Sequence, residues 1–82
     1  MRLPRDLSGD DLVALLRRFG YVVTRQTSNH IRLTSTARGA EHHVTIPAGK
    51  ELRVGTLSSI LADVAGYLEM ERDEFLREIF RR

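Results

Sequence analysis

The hydrophobic pattern changes its period at Gly20, and that change limits what the chain can fold into. Before it, Leu12, Leu15, Leu16 and Phe19 recur at i, i+3, i+4 and i+7, the spacing of one apolar helix face. After it, Tyr21 to Gln26 is rich in β-branched residues and reads as a first strand. From His30 the residues alternate: Ile31 and Leu33 point one way, His30, Arg32 and Thr34 the other. Gly20 is the residue expected to end the helix, in the left-handed conformation. Ser8 is its expected N-cap, with Asp10 and Asp11 in the first turn and Arg17 and Arg18 in the last, as the helix dipole prefers.

A polar turn, Thr27-Ser28-Asn29, hands the first strand to the second, and the loop Ala37-Arg38-Gly39-Ala40 hands the second to a third. The third strand, His42 to Ile46, places Val44 and Ile46 inward and His43 and Thr45 outward, and Pro47 ends it. Pairing Thr36 with Glu41 would set Thr34 opposite His43 and His30 opposite Pro47, about 13 Å from His43's position; a slipped register would shorten this to about 7 Å. A polar loop from Ala48 to Gly55 follows, and Thr56 is the expected cap of a helix carrying Leu57, Ile60, Leu61, Val64 and Leu68. A break near Glu69 to Glu71 precedes a last helical segment, Asp73 to Arg81. The fold class is therefore α+β, in the order α-β-β-β-α with an extra C-terminal helical segment. A three-stranded antiparallel sheet with one apolar face takes helices on that face only. The open face carries His30, Arg32, Thr34, His43 and Thr45.

Eighty-two residues are expected to form a single domain spanning 1–82, with a small core. The absence of cysteine excludes disulfides and thiolate zinc sites. The basic N-terminus lacks the apolar run of a signal peptide, and no stretch approaches the ~18 apolar residues of a membrane span. A cytoplasmic location without membrane association is the expectation. Net charge is a modest +2, but its distribution is uneven. Arg17, Arg18, Arg25, Arg32 and Arg38 fall between Leu12 and Ala40 with no acidic residue among them, whereas Leu57 to Arg82 is net acidic. Arginine suits bidentate contact with phosphate, so the front half is expected to face a polyanion.

His30 is the candidate for chemistry, because imidazole is the side chain best suited to proton transfer near neutral pH. It stands between Arg25 and Arg32 beside a turn, a setting that suits phosphate. Its role on RNA would be general base toward a ribose 2′-hydroxyl or general acid toward the leaving oxygen, with Arg32 neutralising charge on the phosphate. Lys50 and Arg53, in the loop after the third strand, are within reach of the same phosphate. Glu51 is the acidic residue nearest to them in sequence. His42 and His43 are adjacent on one strand and so point to opposite faces, which prevents them from chelating one ion. No metal site and no cofactor are expected. The residues alone leave two rival readings open: an RNA-binding module in which His30 does no chemistry, and a protein-interaction domain.

The order and spacing of several short motifs resemble the HicA family, small toxins of bacterial type II toxin–antitoxin systems. They are Phe19-Gly20-Tyr21, Arg25-Gln26, Ser28-Asn29-His30, Val44-Thr45-Ile46-Pro47, and the run from Lys50-Glu51-Leu52 through Gly55-Thr56-Leu57 to Leu61. The resemblance implies a double-stranded-RNA-binding-domain-like fold and a metal-independent endoribonuclease that cleaves mRNA with His30 as its catalytic histidine. On that reading Arg25, Ser28, Asn29, Arg32, Lys50 and Arg53 bind RNA, and a HicB-like antitoxin neutralises the toxin. The chain departs from the family pattern at two positions. Ser28 stands where the family usually has glycine, and Gly49 stands where many members carry a second histidine.

Overall fold

The computed structural model describes residues 3–49 and 51–81. Helix α1 (Gly9–Leu16) starts where Ser8 caps it. The Ser8 hydroxyl accepts from the Asp11 N–H at 3.0 Å, and the Asp11 carboxylate accepts from the Ser8 N–H at 3.1 Å. This reciprocal pair is a capping box. Leu12 and Leu16 are buried as expected, but Leu15 and Phe19 are only partly so, and Val13 takes a fuller place in the core. The reason lies in Arg17–Phe19, which tighten into a 3-10 turn before Gly20 takes φ +88°. Three residues per revolution carry Phe19 off the α-helical stripe. It packs instead edge-on against Phe75, with ring centroids 5.1 Å apart.

Strands β1 (Val22–Gln26), β2 (His30–Arg38) and β3 (Ala40–Pro47) form one antiparallel sheet in that order. The register places His30 opposite Pro47 and Thr34 opposite His43, as the hairpin pairing anticipated. Tyr21 lies just before β1 and is fully buried. The expected loop from Ala37 to Ala40 is shorter than read from the sequence: only Gly39, at φ +90°, lies outside the strands. A tertiary contact extends the ladder. The Tyr67 hydroxyl accepts from the Arg38 N–H at 2.9 Å and donates to the Ala40 carbonyl.

Helix α2 (Val54–Leu68) begins two residues before Thr56, and its N-cap is Arg53, which makes no side-chain capping bond. The start is set by what precedes it. Leu52 is buried, its N–H donates to the Leu7 carbonyl at 2.7 Å, and Ser8 pairs with Glu51 in an isolated bridge. Thr56 therefore falls in the first turn. Leu57, Ile60, Leu61 and Val64 are buried together with Ala65, and Leu68 is partly covered. Glu69, at φ +58°, breaks the helix where a break was expected. Helix α3 (Arg72–Ile79) then buries Phe75, Leu76 and Ile79. Its C-terminus is held by Arg18, whose guanidinium donates to the carbonyls of Glu78 (2.7 Å) and Ile79 (3.1 Å). A cation at that end satisfies orphan carbonyls and complements the helix dipole.

Ile31, Leu33, Val44 and Ile46 on the inner face of the sheet meet the apolar faces of the helices in one core. Behind the β2–β3 hairpin a polar cluster ties sheet to α2. The Tyr21 hydroxyl lies 2.7 Å from His42 Nδ1, His42 Nε2 lies 3.1 Å from Asp63, and the His42 ring stacks on Tyr67. Burial first, then the nearby Tyr67 and Asp63, pushes the Tyr21 phenol well above its ordinary pKa. It stays neutral and donates to Nδ1, leaving the Nε2 proton for Asp63. Among the described residues no buried side-chain polar atom lacks a partner, and no helix is long and apolar enough to cross a membrane.

The Glu71 carboxylate caps α3 by accepting from the N–H groups of Asp73 (3.0 Å) and Glu74 (3.1 Å). These backbone bonds, to Asp73 first, hold its carboxyl below the usual carboxylate range. A depressed folded-state pKa contributes stability above the ordinary value of 4.5, and that contribution is lost as pH falls through the folded value. Glu71→Gln is expected to flatten the decline of melting temperature on the acid side of pH 4.5. Thermal melts of both proteins over that range check this, and parallel curves would exclude it.

Candidate nucleic-acid interface

The site is built on the turn that joins β1 to β2. Ser28 and Asn29 form a two-residue connection, closed by the Thr27 N–H donating to the His30 carbonyl at 2.9 Å. Among the described residues, Glu69 is the one non-glycine with positive φ, so Ser28 and Asn29 lie outside the left-handed region. Serine thus occupies position 28 without a left-handed backbone, and the turn has no need of a glycine there. The Thr27 hydroxyl accepts from the N–H of His30 (3.1 Å) and of Asn29 (3.3 Å). The Asn29 carbonyl accepts from the Ala48 N–H at 2.9 Å, tying the turn to the chain leaving β3. The backbone of His30 is therefore held on both sides, while its side chain is exposed and makes no hydrogen bond to any described residue.

Three residues before Thr27, β1 contains an irregularity that sets the electrostatics. Gln26 pairs with Ile31 and Arg25 with Arg32, but the next pairs are Val23 with Leu33 and Val22 with Thr34. Thr24 is the extra residue of a β-bulge. On a regular strand Val23 and Arg25 would share a face. The bulge lets Val23 join Leu33 on the core side while Arg25 joins Arg32 on the open side.

Arg25, Thr27, His30, Arg32 and Thr45 consequently line one cleft of about 340 Å³. Arg32 has Arg25 opposite it on one neighbouring strand and Thr45 on the other. Like charges directly opposite across a sheet destabilise it. Among the described residues neither guanidinium has a carboxylate within ion-pair distance. The other front-half arginines are placed elsewhere. Arg18 caps α3, Arg38 pairs with Glu69 at 3.0 Å, and Arg17 lines a groove with Asp10 and Val13 on the helix side of β1.

Of the residues singled out from sequence, the fold brings Arg25, His30 and Arg32 together, with Ser28 and Asn29 exposed at the rim. Arg53 is not in the cleft. It lines a separate depression with Pro47, Ala48 and Glu51, because α2 starts immediately after it. Lys50 lies outside the described residues. Gly49 takes φ +97°, and a β-carbon there would meet nothing within 4 Å. The backbone itself, and not crowding, disfavours a histidine at that position. His42 and His43 point to opposite faces: His42 bonds Tyr21 and Asp63, and His43 bonds Thr34 and Glu41.

Two features escaped the sequence reading. Thr27 received no role, although a hydroxyl residue three positions before His30, across a two-residue turn, marks a closing side chain. The bulge at Thr24 was also missed. Its trace is the conflict between an apolar Val23 and a cationic Arg25 on positions of equal parity.

Residues 9–65, more than half the chain, match the family described as HicA toxin of bacterial toxin-antitoxin. The chain belongs to the HicA toxin family. Comparison with curated proteins and with solved structures gives no match. The matched segment of this HicA-family chain runs from the start of α1 through Ala65 of α2, so it includes all three strands and every residue of the cleft. Its α-β-β-β-α arrangement is double-stranded-RNA-binding-domain-like, and α3 is an addition beyond the match.

Thr27→Val removes the acceptor that holds the N–H groups of Asn29 and His30, and Thr27→Ser keeps it. The valine variant is expected to lose about 1 kcal/mol of stability, the usual worth of such bonds. Hydrogen exchange at the two amides should accelerate in the valine variant only. Unchanged exchange there would remove the hydroxyl from the account of how His30 is held.

Proposed function

We propose that this HicA-family protein is an endoribonuclease that cleaves mRNA in the cytoplasm, with His30 as its catalytic histidine and a HicB-like protein as its antitoxin. One observation carries the reading. Two arginines are held side by side with no carboxylate in ion-pair distance among the described residues, next to an imidazole that bonds none of those residues. A phosphate between them removes the repulsion and offers His30 the reacting ribose.

In the proposed reaction the phosphate rests against Arg25 and Arg32. His30 takes the proton of the ribose 2′-hydroxyl, and the 2′-oxygen forms a bond to the adjacent phosphorus. The bond from phosphorus to the 5′-oxygen breaks. That oxygen receives a proton from the imidazolium, which restores neutral His30. The products are a 2′,3′-cyclic phosphate and a 5′-hydroxyl, and proton count and charge balance. The guanidiniums stabilise charge as it builds on the phosphoryl oxygens, and no metal ion is invoked. Ser28, Asn29, Lys50 and Arg53 are proposed to contact flanking phosphates and to position the strand.

Folded His30→Ala is expected to lose RNA cleavage by at least about a hundredfold in the presence of chelator, the usual scale of acid–base catalysis. Arg32→Ala is expected to weaken binding and to lower its salt dependence by about one phosphate contact. Full cleavage by His30→Ala would overturn the catalytic assignment. Loss of cleavage with Arg32→Ala binding RNA like wild type would separate the histidine from the clamp.

The antitoxin is proposed to cover the cleft and to place carboxylates near Arg25 and Arg32, with opposite charges making association fast and salt-sensitive. Hydrogen exchange with and without the partner is expected to show protection from Asn29 to Leu33. Protection restricted to α3 with cleavage still blocked would replace occlusion by an indirect mechanism.

A further inference from the structure

The open face carries a second imidazole that the proposed cleavage does not use. His43 Nδ1 lies 2.8 Å from the Thr34 hydroxyl, and Nε2 lies 3.0 Å from the Glu41 carboxylate. An ionised carboxylate only accepts, so Nε2 carries a proton toward Glu41, while Nδ1 is bonded to the Thr34 hydroxyl. The Thr34 oxygen in turn lies 2.8 Å from the hydroxyl of Thr24, the bulge residue. With both nitrogens engaged, the ring has no free nitrogen for acid–base work or for reading donors and acceptors. What it still offers is its face, and the side chain is 36% exposed. Two in-plane bonds have already fixed the plane of that face, so little ordering remains for a ligand to impose.

Among the described residues the other rings lie on the helix side of the sheet. Tyr21 and Phe75 are buried, Phe19 packs on Phe75, His42 stacks on Tyr67, and Phe80 packs against the core. His43 is the one ring besides His30 on the open face. It sits four residues along β3 from Pro47, the partner of His30, or about 13 Å away at ~3.4 Å per residue. Charge changes sign along this path, from the paired Arg25 and Arg32 to Glu41 beside His43. A phosphate is favoured at the first end and disfavoured at the second, where a neutral base is the better occupant.

We propose that His43 is a stacking platform for a nucleobase of single-stranded RNA, displaced along the strand from the phosphate held between Arg25 and Arg32. This rests on the ribonuclease reading of the cleft. Stacking on a ring tolerates any base, because every base has a π-face. The subsite therefore selects unpaired RNA and fixes its path across the sheet without selecting sequence. Bases paired and stacked within a helix have no free face to present. Glu41, Thr34 and Thr24 act as positioning residues that hold the ring flat for its guest.

The test uses short RNA oligonucleotides with 2-aminopurine scanned through each position, bound to full-length protein carrying His30→Ala to prevent cleavage. One position is expected to be quenched. Adding His43→Ala should abolish that quench and weaken binding by at least about fivefold, the lower end for loss of one stacked base. Adding His43→Phe, which keeps a ring but loses the two bonds that fix its plane, should retain the quench and bind more tightly than the alanine variant, though less tightly than the protein with His43. Affinity for a duplex of the same sequence should not respond to either change. Absence of quenching at every position overturns the platform without any substitution at His43. A phenylalanine variant that folds and yet binds as weakly as the alanine variant overturns it too, and makes His43 a cross-strand clip. If Arg32→Ala weakens binding while His43→Ala does not, the cleft reading survives and the platform falls. If the protein binds no RNA, both fall.

Discussion

Val23 and Arg25 stand two residues apart on one strand, and the fold needs them on opposite faces. Val23 must cover Leu33 and the rim of a small core, and Arg25 must reach the open side to meet Arg32. A regular strand cannot satisfy both, because side chains repeat every second residue. One inserted residue, Thr24, resolves the conflict. It also adds a hydroxyl to the open face, where Thr34 engages it and in turn bonds His43. The cleft and the meeting of Arg25 with Arg32 on the open face depend on this bulge. Without it the sheet would either expose Val23 or turn Arg25 toward the core.

The rest of the molecule holds that face in place through bonds at both ends of the sheet. The turn carrying His30 is tied through Thr27 on one side and Ala48 on the other. The far hairpin is tied to α2 through Tyr67, with His42, Tyr21 and Asp63 completing a satisfied polar cluster on the helix side. Such networks are costly when half-made and specify a single arrangement when complete. Two front-half arginines are spent on architecture, Arg18 at the end of α3 and Arg38 against Glu69. The cationic character of the segment from Leu12 to Ala40 is thereby sorted. One part holds helices in place, and the part left on the sheet is Arg25 and Arg32.

Much of the fold was legible in the chain. The switch of period at Gly20, the capping residue Ser8, the inward positions Ile31, Leu33, Val44 and Ile46, and the stripe on α2 rest on local spacing, and the structure retains them. The His30–Pro47 and Thr34–His43 pairs match one of the two registers the sequence left open, and the irregularity between Ser35 and Arg38, nearer the turn, was not read. The outward direction of His30 and Arg32 followed from the same alternation. Element ends fared worse. Thr56 looks like a cap from its side chain alone, yet burial of Leu52 and its bond to Leu7 start α2 earlier.

The amino-acid sequence by itself determined the order of elements, the face on which His30 lies and the HicA-like motif spacing, since each follows from the period of a local run. Tertiary structure alone decided which cations remain free, where Arg53 goes, how far the β2–β3 ladder extends and why Arg25 faces Arg32. Those outcomes depend on partners distant in sequence: Ile79 for Arg18, Glu69 for Arg38, Tyr67 for the hairpin, Leu33 for Val23. Local propensity carries no record of such partners. The closing of the core selects them, because a small domain must bury its apolar side chains and satisfy its buried polar atoms at the same time.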